Sequence, residues 1–363
     1  MRAAQRSGSR PVDVVAVGAA AVDLVIRTPR LPRFDEKVTG TLVGWLPGGT
    51  MANVACALSR LGGRAAWVGT VGADRGGRLL LEDFRRHRVD ARLAVVDRRQ
   101  ATNMTVIFLP SPHEGSPDGG SWRPSRGSAP GQARSGAVAP ASGAERAIVV
   151  LSTARDRLPA PDRWRRLLAR AHFVYLAPHD PVLARRVVAA ARRQGCAVAL
   201  EVEPTAAHAL PAVGALLRRA DLLVCNRGGL ALLAGRRLRS RRDAAAEAAR
   251  LRTRGPALVA VTLGAEGALL AAAEGVLFQE GFAIPAVDTT GAGDCFGAAL
   301  LLALARGWSP ERALTFATAA GALATTGLGP RGHLPTRGEV RRLAATGPPP
   351  RRIPVGPPRR SRP

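Results

Sequence analysis

The chain is predicted to be an α/β protein whose mostly parallel central sheet is covered by helices on both faces. Three observations predict it. Between residues 164 and 273, short runs of Val, Leu and Ala alternate with segments of helical period, the rhythm of successive βα units. Residues 12–17 read V-D-V-V-A-V and stop at Gly18, the pattern of a strand buried on both faces. With 363 residues, 46% of them hydrophobic, the chain is long enough for one large domain and too apolar for global disorder.

The elements follow in order. Asp23 comes shortly after the strand at 12–17, placed either to receive substrate hydroxyls at a strand's carboxyl end or simply to make a turn. Residues 33–46 have no helical period and carry strand formers. Gly48 and Gly49 then open a helix that Gly62 closes, and Asn53 projects from its first turn. An amide there can both donate to and accept from hydroxyls. A strand at 65–71 precedes a helix capped by Asp74. Residues 92–109 supply two further β segments, which with 33–46 make a small sheet. Residues 111–144 are rich in Gly, Ser, Pro and Ala and are predicted to be a disordered insertion. A core strand is expected at 146–151.

Helices are then predicted at 162–171, 181–194, 208–219 and 240–253, with strands at 173–176, 197–202, 222–225, 257–262 and 268–273. Glu201 and Glu203 end one of these strands, where they either orient a metal-bound water or cap a loop. Asn226 ends another. Ser309 and Pro310 start a late helix that runs to Gly327. The folded domain is expected over 11–345, with residues 1–10 a disordered basic terminus and 346–363 an unstructured Pro/Arg-rich tail.

The formal charge of +26 raises nucleic acid as a partner. Eight arginines lie within 1–10 or beyond 350, and Lys37 is the only lysine, so the excess reads as solvated arginine on helix faces. Aromatic residues are 4% and no nucleic-acid motif is present, so no specific nucleic-acid binding is expected, only weak adhesion to polyanions. No apolar run is long enough to span a bilayer. The four cysteines are scattered without metal spacing, which suggests a reduced, cytoplasmic protein.

The most informative stretch is 285–304, P-A-V-D-T-T-G-A-G-D followed by unbroken helix formers. Gly291, Ala292 and Gly293 let backbone N–H groups converge at a helix N-terminus, which favours a phosphate. Asp294 stands in that first turn. A carboxylate beside a phosphate cradle is electrostatically awkward, so a role such as taking a proton from an attacking hydroxyl is indicated.

The string D-T-T-G-A-G-D resembles the C-terminal signature of the ribokinase-like (PfkB-type) carbohydrate kinases, and the helix G-G-T-M-A-N-V-A ending in L-G resembles their N-terminal one. The resemblance implies a three-layer ribokinase-like fold with a small β-sheet lid. It implies that Asp294 is the catalytic base, that Gly291, Ala292 and Gly293 form an anion hole, and that Asp23, Gly48, Gly49 and Asn53 touch the sugar. Gly72 and Asp74 match a stretch whose helix packs beneath the site. V-T-L-G-A-E-G-A-L-L resembles the nucleotide loop, so Thr262, Gly264 and Gly267 would approach ATP with Asn226 nearby. Mg2+ is implied, and K+ or another monovalent cation near Asp288 and Thr290, with Gly327-Leu328-Gly329 in the adjoining loop. One departure stands out: relatives commonly read N-x-x-E where this chain has Asn226-Arg227-Gly228-Gly229. Glu201 or Glu203 would then have to compensate for the missing carboxylate.

The expected activity is ATP-dependent phosphorylation of a hydroxyl on a small neutral sugar or sugar acid. Phosphosugar kinases of the family carry G-K-G-x-N, with a lysine suited to a phosphate, where this chain has G-T-M-A-N. A nucleoside kinase is the alternative within the class, and a catalytically inactive sugar- or nucleotide-binding regulator is the alternative outside it. Dimerisation through the lid edge is expected, since an unpaired edge strand invites pairing.

Overall fold

The computed structural model describes residues 11–110 and 147–354. Its central layer is a nine-stranded sheet. Parallel strands β4 (Ala65–Val68), β1 (Val12–Val17), β9 (Ala171–Leu176), β10 (Ala197–Val202), β11 (Leu222–Asn226) and β12 (Leu258–Thr262) lie side by side in that order. Antiparallel strands β13 (Gly267–Ala272), β14 (Gly275–Glu280) and β15 (Arg351–Ile353) extend the β12 edge. Every residue of β10 is buried, as expected for a strand covered on both faces.

One face of the sheet packs on α1 (Thr50–Arg60), α2 (Arg75–Arg86), α8 (Ala292–Ala305), α9 (Pro310–Ala324) and α10 (Arg337–Ala344). The other packs on α3 (Pro161–Ala169), α4 (Pro181–Arg193), α5 (Leu210–Leu217), α6 (Arg227–Ala234) and α7 (Arg241–Arg252). Local chemistry starts these helices where they start. Asp74 accepts from Gly77 N–H at 2.8 Å to cap α2, and Asp180 caps α4 ahead of Pro181. Helix α8 is apolar on every side because it is enclosed by α1, α9 and the sheet, and Cys295 through Ala303 are all buried. Among the described residues no helix is long and apolar enough to cross a membrane.

A second, four-stranded sheet stands apart, in the order β3 (Thr41–Gly48), β2 (Ala21–Thr28), β7 (Asn103–Pro110) and β8 (Ala147–Leu151). Its composition corrects several expectations. Asp23 lies inside β2, in register with Leu46 and Thr105, rather than in a loop after β1. Gly18, at φ +124°, allows the chain to leave β1 and enter this sheet at once. Residues 33–40 form no strand. Residues 92–94 are likewise outside the small sheet, and β6 (Val95–Asp97) pairs instead with β5 (Thr70–Gly72) in a separate ribbon. The expected core strand at 146–151 is β8, the small sheet's edge, where Val149 and Val150 are exposed. An apolar run of that length reads the same on an edge as in a core.

The tail is also more ordered than its composition suggests, because β15 hydrogen-bonds to β14 and Gln279 Nε2 donates to the Pro348 carbonyl at 3.1 Å. Residues 208–219 divide into a 3-10 turn at Pro204–Ala209 and α5. The readings of residues 1–10, 111–144 and the end of the tail fall outside the described residues.

Candidate active site

The site forms where the N-termini of α1 and α8 meet the small sheet. Gly291 begins α8 in the left-handed conformation, φ +79°. A Cβ on it would lie 2.6 Å from the Pro330 carbonyl oxygen, so the turn admits only glycine as it stands. Beyond it the N–H groups of Gly293 and Asp294 meet no backbone acceptor among the described residues, as first-turn donors of a helix do. Asp288 braces the turn. One of its carboxylate oxygens accepts from Thr290 N–H (2.9 Å) and the Thr290 hydroxyl (2.6 Å), and the other from Gly329 N–H (2.9 Å). The loop before α8 and the loop after α9 are thereby tied together.

Asp294 receives a hydrogen bond of 2.6 Å from Asn53 Nδ2 in the first turn of α1. That turn is made by Gly48 and by Gly49, whose φ is +90°. The Asp23 carboxylate lies directly against Gly48, since a Cβ there would fall 2.1 Å from its Oδ2. Three polar residues from β2, α1 and α8, more than 200 positions apart in sequence at the extremes, therefore converge on one cleft. Asp23 and Asn53 are buried, and Asp294 is half-buried at the cleft floor.

Burial first, and acidic neighbours second, set the electrostatics. Desolvation, and then the charge of Glu203, push the Asp294 carboxyl up to about 7, against the opposing Asn53 hydrogen bond and Arg331 charge. Burial raises Asp23 to about 6, partly offset by the Thr105 hydroxyl and Arg331. A carboxyl poised near neutrality in a cleft is suited to proton transfer.

The carboxyl ends of β10, β11 and β12 form the neighbouring half. Asn226 caps α6 by accepting from Gly229 N–H at 2.8 Å, while its Nδ2 donates to Glu203 Oε1 at 3.3 Å. Thr262 is in register with Asn226 on the adjacent strand. Gly264 (φ +65°) and Gly267 (φ +110°) shape the tight turn between β12 and β13, beside which Arg227 pairs with Glu266. No side chain fits at Gly229, because a Cβ would lie 2.0 Å from the Val202 carbonyl oxygen. The carboxylate missing from that position is thus excluded by the close packing of α6 on the end of β10. Glu203 is half-exposed toward the cleft, whereas Glu201 is buried beneath it. Burial holds the Glu201 carboxyl well above the usual range, with the facing Tyr175 hydroxyl opposing the shift.

Two residues the sequence did not single out join the site. Arg331, in the loop after α9, donates from Nε to Asn53 Oδ1 at 3.0 Å and pairs with Asp83 of α2. Nothing marks either residue in the sequence, because arginine is abundant throughout and Asp83 sits in an amphipathic helix like any other acid. Cys56, Asp83 and His87 also bring three possible metal-ligand atoms within 4.8 Å of one another. The Arg331 guanidinium already on Asp83 and a Cys56 thiol pushed up to about 12 by burial make this trio unsuited to a cation.

A three-layer α/β fold with a small accessory sheet and a glycine-turned helix N-terminus beside converging acids defines a phosphotransferase scaffold. The profile of the pfkB family carbohydrate kinases matches residues 12–115 and 138–337. The chain belongs to this family, whose members transfer a phosphoryl group to sugar hydroxyls. It is 28% identical over 333 residues to a ribokinase of Bacillus subtilis, covering 91% of this chain and 99% of that protein. A ribokinase of Haemophilus influenzae is 25% identical over 330 residues, covering 90% and 96% respectively. The structure of Arabidopsis thaliana ribokinase complexed with ribose and ATP superposes with a TM-score of 0.73, at 24% identity, over 91% of this chain and 98% of that one.

Proposed function

We propose that the chain uses ATP to phosphorylate a hydroxyl of a small neutral sugar or sugar acid. The reading is carried by the convergence of Asp23, Asn53 and Asp294 at the N-terminus of α8. Asp23 and Asn53, with the Gly48-Gly49 turn, hold and orient the acceptor, and Asp294 takes the proton from the hydroxyl that attacks. Donors at Gly291 and Gly293, with the Ala292 N–H that also reaches the Thr289 carbonyl at 3.3 Å, stabilise charge on the transferred phosphoryl group. The small sheet acts as a lid that excludes water, the competing nucleophile. ATP as donor agrees with the Arabidopsis ribokinase complex, and its place is the end of the sheet marked by Asn226, Thr262, Gly264 and Gly267.

The donor set suits Mg2+ at Glu203, a half-exposed oxygen ligand next to Asn226. Glu201 is the poorer candidate, since it is buried beneath the cleft, where the charged form is disfavoured. When bound, the metal neutralises charge on the phosphates. A monovalent cation near Asp288 and Thr290 has weaker support, because that carboxylate is already engaged by three donors. A second copy would cover the lid face on which Leu42, Trp45 and Val149 are exposed.

The absence of lysine from Gly48–Asn53 favours an unphosphorylated acceptor. ADP release measured with ATP, Mg2+ and a panel of neutral sugars, sugar acids and nucleosides tests the reading. Turnover on a sugar or sugar acid supports it. Turnover confined to nucleosides, or binding with no turnover, reverses it.

A further inference from the structure

Arg331 belongs to the loop after α9, and its side chain is only 5% exposed. Nε donates to Asn53 Oδ1 at 3.0 Å, Nη2 donates to the Gly48 carbonyl at 3.1 Å, and Nη1 pairs with Asp83. The guanidinium also lies 5.9 Å from the centre of the Phe84 ring. A guanidinium has donors and no acceptor, so the end of the Asn53 amide that faces it must be the oxygen. The other end, 2.6 Å from Asp294 Oδ2, must then be the NH2 group. Turning the amide over would set oxygen against carboxylate and N–H against N–H, exchanging two hydrogen bonds for two repulsions.

We propose that Arg331 fixes the polarity of the Asn53 amide, so that Asn53 offers its NH2 group to Asp294, and that Arg331 is thereby a positioning residue for phosphoryl transfer. The inference rests on Asp294 being the general base. A donor aimed at a carboxylate favours its ionised form, the form that can accept a proton. Arg331 can hold this orientation because its own contacts fix it. Asp83 supplies the countercharge from α2 and the Gly48 carbonyl supplies a second anchor, leaving no direction in which the fork can swing without losing a partner. The same residue therefore connects α2, the Gly48 turn, α1 and, through Asn53, the catalytic turn of α8.

The groups facing Asp294 make this support necessary. Glu203 and Glu201 face it from β10, Tyr175 from β9 and Asp23 from β2, with Cys295 next to it on its own helix. Of the groups named, Arg331 alone is cationic, and it opposes the acidic neighbours both by its charge and through the amide it orients.

The experiment follows the Asp294 carboxyl directly, by NMR of full-length protein labelled with 13C at aspartate Cγ. The signal is assigned by its loss in Asp294→Asn. Arg331→Met should move the titration midpoint upward by about one pH unit or more, equivalent to a tenfold change in the ionisation constant. Arg331→Lys, which keeps a donor-only cation, should recover most of the shift. The double variant Arg331→Met with Asp83→Asn removes the ion pair as a neutral unit and leaves no lone buried carboxylate. It too should titrate higher than the wild type, and a midpoint equal to that of the wild type would overturn the proposal. With D-ribose and ATP, kcat should fall further at pH 7 than at pH 9, a pH-dependent loss that a merely structural role would not produce. Turnover by Asp294→Asn at the wild-type rate would instead remove the general-base reading and leave the titration result standing.

Discussion

Gly291→Ala places one methyl group against the glycine turn that opens α8. At φ +79° an L-residue loses roughly 1–2 kcal/mol relative to its right-handed conformation. The new Cβ would also lie 2.6 Å from the Pro330 carbonyl oxygen and 2.9 Å from its Cα. Those are backbone atoms, so no side-chain rotation relieves the contact, and overpacking of this kind costs about 1–3 kcal/mol. The two effects together come to roughly 2–5 kcal/mol, a large share of the roughly 5–15 kcal/mol typical of a folded domain. Gly293→Ala is the control. It has nothing within 4 Å of the added Cβ, and alanine is the better helix former by about 1 kcal/mol. Urea unfolding would rank the two variants, and ADP release would show whether the turn still supports turnover. A Gly291→Ala protein within about 0.5 kcal/mol of the wild type, with undiminished turnover, would refute the reasoning, since that is the ordinary range for a neutral surface change.

Two further outcomes follow from the same geometry. Because Asp294 must be ionised to accept a proton and its pKa is raised to about 7, the acid limb of kcat/KM against pH should bend near neutrality, and a limb below about pH 5 would contradict the assignment. Gly229→Glu, which introduces the carboxylate that the N-x-x-E resemblance implies, should destabilise the protein without lowering its Mg2+ requirement, because its Cβ would lie 2.0 Å from the Val202 carbonyl oxygen. Thermal melting and a Mg2+ titration check this; a stable variant that needs less Mg2+ would count against Glu203 as the compensating ligand.

The parts of the fold most legible in sequence are those with uniform surroundings. Strand β10 is legible to its ends because both faces are buried and its pattern is unbroken. The glycine turn that opens α8 is legible because glycine, helix start and carboxylate each have a chemical reason to stand where they do. The small sheet is less so. Strand β2 follows Gly18 so closely that it reads as a turn, and β8 carries core-like residues on an exposed edge. Edge and core strands differ in what covers them, which the sequence does not record. Short elements such as β15 and α6 offer too few residues to show a period. Arg331 is illegible for a different reason. Its role depends on three partners from separate parts of the chain.

Asp294→Asn tests the proposed general base most directly. The substitution removes a carboxyl whose folded pKa is raised. Such a group stabilises the fold most below the unfolded carboxylate value near 4 and progressively less as pH rises through about 7. At pH 8 the amide should therefore leave stability unchanged or improved, so a loss of turnover cannot be assigned to unfolding. Single-turnover phosphoryl transfer to the preferred sugar should fall by about 100-fold or more, in keeping with loss of a general base, while sugar and ATP still bind. Transfer at the wild-type rate by the folded Asp294→Asn protein would contradict the assignment of the base.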